Sequence, residues 1–317
     1  MTNGNGTRRK RSTDVAHRFE GNPLITVEDM PFRCADICNA AAVKIGGETL
    51  LLLTVESLRG RKKLYRAASQ DGIRFEIDDT PFLDISDEPP YADHEAFGVL
   101  DPKITEFDGE YLITYTAFGK HGFRLALAKT RDFKSVERMG FISEPDSKGG
   151  VLFPEKINGK FAKLEMPESG QRLWISYSDD LIYWGGFDEV MSPRPGFWDF
   201  HKIGPAVPPF RVGDGEWLLI YYGVKNTSAG SIARLGAVFL DSDDPSKVTA
   251  RTNIPILSPR EMYERVGDIG NVVFACGAIA DGENISIYYG AARACICLAT
   301  VTVDDIRENC AASEREF

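Results

Sequence analysis

One phrase returns five times along the chain: a turn dipeptide followed at once by an apolar or alternating run. It reads Gly46-Gly47 before ETLLLLTVES, Asp108-Gly109 before EYLITYTAF, Asn158-Gly159 before KFAKLEM, Asp214-Gly215 before EWLLIYYGV, and Asp281-Gly282 before ENISIYYGA. Asn-Gly and Asp-Gly suit the left-handed dihedrals of two-residue turns, so each phrase marks a β-hairpin. Another apolar run precedes each phrase, from NAAAVKI to NVVFACGAIA. Most phrases are followed by a third strand and a second turn, as in LYRAAS before Gln70-Asp71-Gly72 and LWISYS before Asp179-Asp180. The spacing defines five units of about 50–67 residues, and no long helical pattern interrupts them.

Repeated units of this kind predict an all-β fold. A ring of five protects its strand edges by radial closure, which gives a five-bladed β-propeller over residues 15–306. A stack of β-sandwiches is the competing arrangement, and it would carry less regular unit lengths. A hydrophobic content of 43% is enough for a sizeable core. Residues 1–14, with the basic run Arg8-Arg9-Lys10-Arg11, read as a tail, and so do residues 307–317.

A propeller concentrates chemistry at one mouth of its axis, where the first strands of the units begin. The residues there are Asn39, Asp101, Phe153-Pro154-Glu155-Lys156, Lys202-Ile203-Gly204, Asp268 and Asn271. Asp101 follows the apolar pair Val99-Leu100, and apolar surroundings favour a protonated carboxyl, as a general acid requires. A turn or capping aspartate is the plain alternative. Glycoside cleavage takes two carboxyls, or one carboxyl and an external nucleophile. Partner carboxyls are Glu155, Glu165, Asp199, Glu264 and Asp268, and anion-binding candidates are Arg124, Lys148, Lys156, Lys202 and Arg293.

The formal net charge of −10 argues against nucleic acid or anionic membrane as a partner and suits a neutral sugar. An anionic co-substrate would need a local gathering of Lys and Arg. No apolar run approaches 20 residues, and the N-terminus lacks a signal peptide's apolar core. The six cysteines match no zinc spacing and read as reduced thiols, which with the missing signal gives a cytoplasmic expectation. The histidines His17, His94, His121 and His201 form no ligand spacing, so no metal or other cofactor is expected. There is no P-loop, no dinucleotide fingerprint and no nucleophile elbow.

Several segments give the chain a family resemblance. They are Asp101-Pro102-Lys103-Ile104-Thr105, Gly150 through Lys160, Ser176 through Gly185, Lys202-Ile203-Gly204, Asp241 through Pro245, Tyr263 through Phe274, and Tyr288 through Ala292. In order and spacing the chain resembles glycoside hydrolase family 130, the β-mannoside phosphorylases and β-mannosidases, over about residues 20–306. The resemblance implies a five-bladed propeller and inverting cleavage of β-mannoside oligosaccharides. Asp101 would then be the general acid, acting through the sugar's 3-hydroxyl. In phosphorylase members, inorganic phosphate attacks the anomeric carbon and α-mannose 1-phosphate is formed. Lys202 matches the phosphate-binding lysine, Lys148 falls where an arginine or lysine assists, and Arg124 is a further phosphate candidate. Asn39 and Asp268 match residues near the mannosyl unit.

The departures from the family pattern bear on the same site. Thr54-Val55-Glu56-Ser57 stands where Arg-Val-Glu-Asp is common, which leaves Glu56 as a sugar-binding candidate without the arginine. Glu165-Met166-Pro167 replaces His-Arg-Pro, Tyr221-Tyr222-Gly223 replaces Tyr-His-Gly, and Ala292-Arg293-Ala294 replaces Ala-Asp-Thr. Tyr222 and Arg293 are therefore expected at the substrate, with Arg293 offering an anion site or accepting an acidic sugar. Glu165 or Glu264 could activate water, the hydrolytic alternative to phosphorolysis. A propeller that binds carbohydrate without cleaving it is a further alternative, and homo-oligomerisation stays open.

Overall fold

The computed structural model describes residues 14–213 and 215–314. Two short strands, β1 (His17–Arg18) and β2 (Ile25–Thr26), precede five antiparallel meanders. The first is β3 (Asp36–Ile45), β4 (Glu48–Glu56), β5 (Lys62–Ser69) and β6 (Glu76–Leu83). The second is β7 (Gly98–Phe107), β8 (Glu110–Gly119), β9 (Gly122–Thr130) and β10 (Glu137–Phe141). A single parallel bridge, Lys62 to Gly98, joins these two into one sheet. The third is β11 (Ser147–Leu152), β12 (Phe161–Pro167), β13 (Leu173–Ser178) and β14 (Gly185–Met191). The fourth holds β15 (Lys202–Pro205), β16 (Phe210–Val212), β17 (Glu216–Thr227), β18 (Gly230–Leu240) and β19 (Val248–Arg251). The last holds β20 (Val273–Asp281), β21 (Asn284–Ala291) and β22 (Cys295–Thr302), and β1 completes it by pairing His17 with Thr300.

The turn dipeptides act as their chemistry requires. Asp108-Gly109 and Asn158-Gly159 have positive φ at both positions, 49° and 75° in the first and 49° and 80° in the second. That is the backbone of a tight hairpin whose twist matches its strands. The second turn also echoes from unit to unit. Asp71, Asp132, Asp180 and Asp241 each accept two backbone N–H bonds from the residues two and three positions on. Such local capping lets a short aspartate reverse the chain without any tertiary support.

The apolar runs are continuous because both faces of the inner strands are buried. Leu50 and Leu52 pack with Ile113 and Tyr115 of the second meander, whereas Leu51 and Leu53 pack with Ile296 and Leu298 of the fifth. Side chains of a strand alternate between faces, so LLLL feeds two cores at once. Leu125 and Leu127 meet Leu152 between the second and third meanders. Leu164 and Ile175 meet Leu219 and Tyr221 between the third and fourth, and Leu218 and Ile220 meet Ile285 and Ile287 between the fourth and fifth. Each fully buried Leu or Ile contributes about 1.5–3 kcal/mol. Gly277 and Gly290 permit the closest approach, since a Cβ on either would collide with the backbone of Ala42 or Cys38 on β3.

Both expected tails need correction. Residues 1–13 lie outside the described residues, but Asp14 is buried and paired with Arg18 and Arg260. At the other end, residues 307–314 continue a helix, Val303–Glu314. Val303 and Ile306 enter the core between the fourth and fifth meanders, and Arg307 pairs with Glu216 at 3.0 Å. A strand-to-helix junction capped by Thr302, whose hydroxyl accepts from Asp305 N, starts it.

Candidate active site

The first strands of four meanders each carry a bulge. The register slips between Ile37 and Asn39 on β3, Leu100 and Lys103 on β7, Lys148 and Val151 on β11, and Ala275 and Gly277 on β20. A bulge re-aims the side chains it carries and ends regular pairing. Asp101 sits in one of them with φ 53°, a left-handed conformation that aspartate tolerates better than most residues. Together the bulged segments open a cavity of about 450 Å³ lined by Asn39, Asp101, Lys148 and Arg293, with Leu100, Phe118, Phe123, Val272 and Phe274 as its apolar wall. Phe118 and Phe123 stack on each other at 4.6 Å between centroids, and the Lys148 ammonium lies 4.3 Å from the Phe123 ring centroid.

Asp101 is held by a closed polar loop. The Asn39 amide donates to Asp101 Oδ1 at 2.5 Å, the Thr54 hydroxyl donates to Asn39 Oδ1 at 2.8 Å, and Asp101 N donates to Thr54 Oγ1 at 3.2 Å. Thr54 is fully buried, so its hydroxyl fixes which way the amide of Asn39 points. Lys103, also fully buried, reaches the Asp101 carbonyl and Cys276 Sγ. Burial pushes the Cys276 thiol up to about 12.

The two lysines expected at phosphate converge on one carboxylate. Lys148 lies 2.8 Å from Glu168 Oε1, and Lys202 donates to both Glu168 oxygens at 2.9 and 3.1 Å. Burial lowers the Lys202 ammonium below its ordinary value, helped by the charge of Lys148 and opposed by Glu168. Burial raises Glu168, but both lysines outweigh it and hold the carboxyl low. Tyr222 is buried beside this pair, its ring edge-on to Phe274 and packed over Gly204, where a Cβ would meet it.

Arg293 occupies the far side of the cavity, in a turn where Ala292 and Arg293 both have positive φ. It pairs with Glu56 at 2.8 Å, Asp268 at 3.1 Å and Asp36 at 3.5 Å, and donates to Cys38 Sγ at 3.4 Å. Lys62 adds a second cation on Glu56 at 2.6 Å. Burial raises the Asp36 carboxyl to about 6, against the pull of Arg293. Asp36, Cys38 and Glu56 have ligand atoms within 4.8 Å of one another, yet the guanidinium already fills that space as their cation. Three carboxylates around one arginine leave no net positive site, so the expectation that Arg293 receives an anionic group is corrected. Asp268 is half exposed at this rim, and Glu56 serves the same cluster.

Three other expected residues lie elsewhere. Arg124 and Glu165 face a separate pocket of about 310 Å³ with Lys163 and Trp184. They miss the Asp101 cavity because each precedes or follows a cavity-side or core-side neighbour on its strand. Phe123 faces the cavity and Arg124 the opposite side, and Glu165 alternates with the core residues Leu164 and Met166. Glu165 is paired with buried Lys163 at 3.0 Å and accepts from Ser147 at 3.1 Å. Arg124 donates to the Ser143 carbonyl. Glu264 is fully buried, bonded by Arg18, the Tyr289 hydroxyl and the backbone of Arg260 and Glu261. Of the further carboxyls considered, Glu155 is on the surface with Arg211, and Asp199 is buried between Arg194 and Arg251.

The sequence reading missed Glu168 and the part played by Thr54. Glu168 follows Pro167 just past a strand, and only the fold brings it to Lys202. Thr54 was read as a lost arginine, whereas its small hydroxyl is what closes the loop around Asp101.

The family model described as β-1,4-mannooligosaccharide phosphorylase matches residues 7–311. The chain belongs to glycoside hydrolase family 130. Among relatives, it is 38% identical over 248 residues to the 1,2-β-oligomannan phosphorylase of Thermoanaerobacter sp. (strain X514), covering 77% of this chain and 80% of that one. It is 32% identical over 306 residues to the β-1,4-mannooligosaccharide phosphorylase of Ruminococcus albus, covering 92% and 90%. Its fold overlays that of the β-1,2-mannobiose phosphorylase from Listeria innocua in complex with β-1,2-mannobiose. The TM-score is 0.86 at 29% identity, over 94% of this chain and 99% of the other. These family-130 relatives and the all-β architecture agree with the resemblance read from the motifs.

Proposed function

We propose that the chain is an inverting β-mannoside phosphorylase built as a five-bladed β-propeller. The architectural half is supported by the seams between meanders. Every neighbouring pair shares a hydrophobic cluster, and the fifth and first meanders share one too, as a ring requires. The catalytic half rests on one observation: Asp101, fixed by Asn39, faces the same cavity as Lys148, whose ammonium is linked through Glu168 to Lys202.

In this reading the mannosyl unit occupies the cavity, against the apolar wall that Phe118, Phe123 and Phe274 provide. Protonated Asp101 gives its proton to the sugar's 3-hydroxyl, which passes its own to the glycosidic oxygen. The bond from the anomeric carbon to that oxygen breaks, and the departing sugar leaves as an alcohol. A phosphate oxygen, held by Lys148 and Lys202, forms the new bond from the opposite face. The product is α-mannose 1-phosphate, inverted at the anomeric carbon. The cations offset phosphate's charge as it approaches a site that already carries a carboxyl. A Glu165-activated water has no support in this geometry, because Glu165 is spent on Lys163 and Ser147 in another pocket. A cytoplasmic location remains part of the proposal.

The test is a panel of β-1,2- and β-1,4-mannobiose incubated with the enzyme, with and without inorganic phosphate, and analysed by chromatography. Sugar phosphate formed only with phosphate supports the proposal. Phosphate-independent mannose release points to a hydrolase, and binding without any product points to a non-catalytic lectin-like role. Either result overturns it.

A further inference from the structure

Lys148 and Lys202 already hold an anion that belongs to the chain. Glu168 Oε1 accepts from both ammoniums, at 2.8 and 2.9 Å, and Oε2 takes a second contact from Lys202 at 3.1 Å. Lys202 has 15% of its side chain exposed, and Lys148 and Glu168 have 27% each, so the carboxylate is open to solvent on one side. Its backbone is tied down. Glu168 N donates to the Asp146 carbonyl, Gln171 N donates to the Pro167 carbonyl, and Ile203 N, next to Lys202, donates to the Gln171 carbonyl. The turn is therefore held by backbone bonds that do not involve the Glu168 carboxylate.

Phosphate oxygens and carboxylate oxygens compete for the same N–H donors. With Glu168 in place the two lysines carry a net charge of about +1, and a phosphate dianion entering alongside it would meet a like charge at close range. At a few ångströms that repulsion opposes phosphate binding, the more so where solvent is excluded. We propose that Glu168 is a specificity-determining residue of the phosphate site: an internal anion that occupies the phosphate position in the resting enzyme and is exchanged for phosphate. The inference rests on the phosphorolytic reading above. Its consequence is selection by charge. A monoanion gains too little to replace a tethered carboxylate, whereas a dianion gains enough. The lysines stay paired and oriented between turnovers, at the cost of weaker phosphate binding.

The experiment is steady-state phosphorolysis of a β-mannobiose by the full chain with phosphate varied. Wild type, Glu168→Gln and Glu168→Ala are compared, and the phosphate-induced rise in melting temperature is recorded for each. Neutralising the internal anion should lower the KM for phosphate by about three- to tenfold, with the change falling on KM rather than kcat. The thermal shift should saturate at correspondingly lower phosphate. A KM for phosphate that is unchanged or raised in both variants, with phosphate-dependent product from wild type, would overturn the inference alone and make Glu168 a strut for the lysines. Wild type that forms no phosphate-dependent product would overturn the phosphorylase reading, and the inference with it.

Discussion

Asn39 and Asp101 meet at 2.5 Å across the cavity floor, amide nitrogen to carboxyl oxygen, although they start different meanders. Thr54 completes the contact from a third strand. The Asp101 carboxyl is thus oriented by an uncharged amide, itself held by an uncharged hydroxyl.

Replacing Asp101 by Asn should abolish turnover by at least about a hundredfold and leave the fold intact. Asparagine tolerates φ 53° and can still accept from the Asn39 amide, so the melting temperature should stay close to wild type. Rates and thermal unfolding of the same preparation check both halves.

Thr54→Val keeps the volume of Thr54 but removes the hydroxyl that Asn39 and Asp101 share. The Asn39 carbonyl oxygen and Asp101 N then lack a partner, which costs roughly 1–3 kcal/mol. Activity should fall as well, and by more than stability alone explains, because the amide of Asn39 is free to flip. Kinetics measured well below the melting temperature separate the two effects.

Asp36 gives a pH signature. Its carboxyl sits near 6 in the folded chain against an ordinary 3.8, chiefly through burial. The folded state therefore holds this proton more tightly than the unfolded one. The stability it contributes is complete below the unfolded value and is lost as pH rises through about 6. Asp36→Asn should remove that loss. Relative to wild type, the variant should gain on the order of 2 kcal/mol between about pH 4.5 and pH 7. Urea unfolding at both pH values tests this, and an unchanged difference would contradict it.

Much of the scaffold was legible because hairpin chemistry is local. Gly46-Gly47 and Asp108-Gly109 needed no tertiary information to be read as turns, and the starts of the strands they follow located Asn39 and Asp101. The site's outer parts were not legible, for two physical reasons. Facing on a strand has a period of two, and a bulge resets it. Arg124 and Glu165 therefore end on the wrong side of strands whose neighbours Phe123 and Met166 point inward. Electrostatic partners come from segments distant in sequence. Glu168 pairs with both Lys148 and Lys202, and Asp36, Glu56 and Asp268 surround Arg293, so a cation counted from sequence is not a free cation in the fold. The C-terminal helix was hidden because its polar face dominates the composition, while Val303, Ile306 and Cys310 enter the core at widely spaced positions.

Glu264 should prove structural. Glu264→Ala leaves the Tyr289 hydroxyl without its carboxylate and Arg18 with only Asp14 and the Ser258 carbonyl, and loss of a buried partner of this kind costs about 3–5 kcal/mol. The melting temperature should drop by roughly 4–8 °C. Turnover per folded molecule at low temperature should be retained, whereas a catalytic carboxylate would lose it.

The central claim is that phosphate, held at Lys202, takes the sugar that Asp101 helps to free. Phosphorus NMR of a reaction containing β-mannobiose and inorganic phosphate follows that transfer directly. A new sugar 1-phosphate signal of α configuration should grow as the inorganic signal declines, and Lys202→Ala should need at least about tenfold more phosphate for the same rate. Mannose accumulating while the phosphorus spectrum stays unchanged would contradict the account.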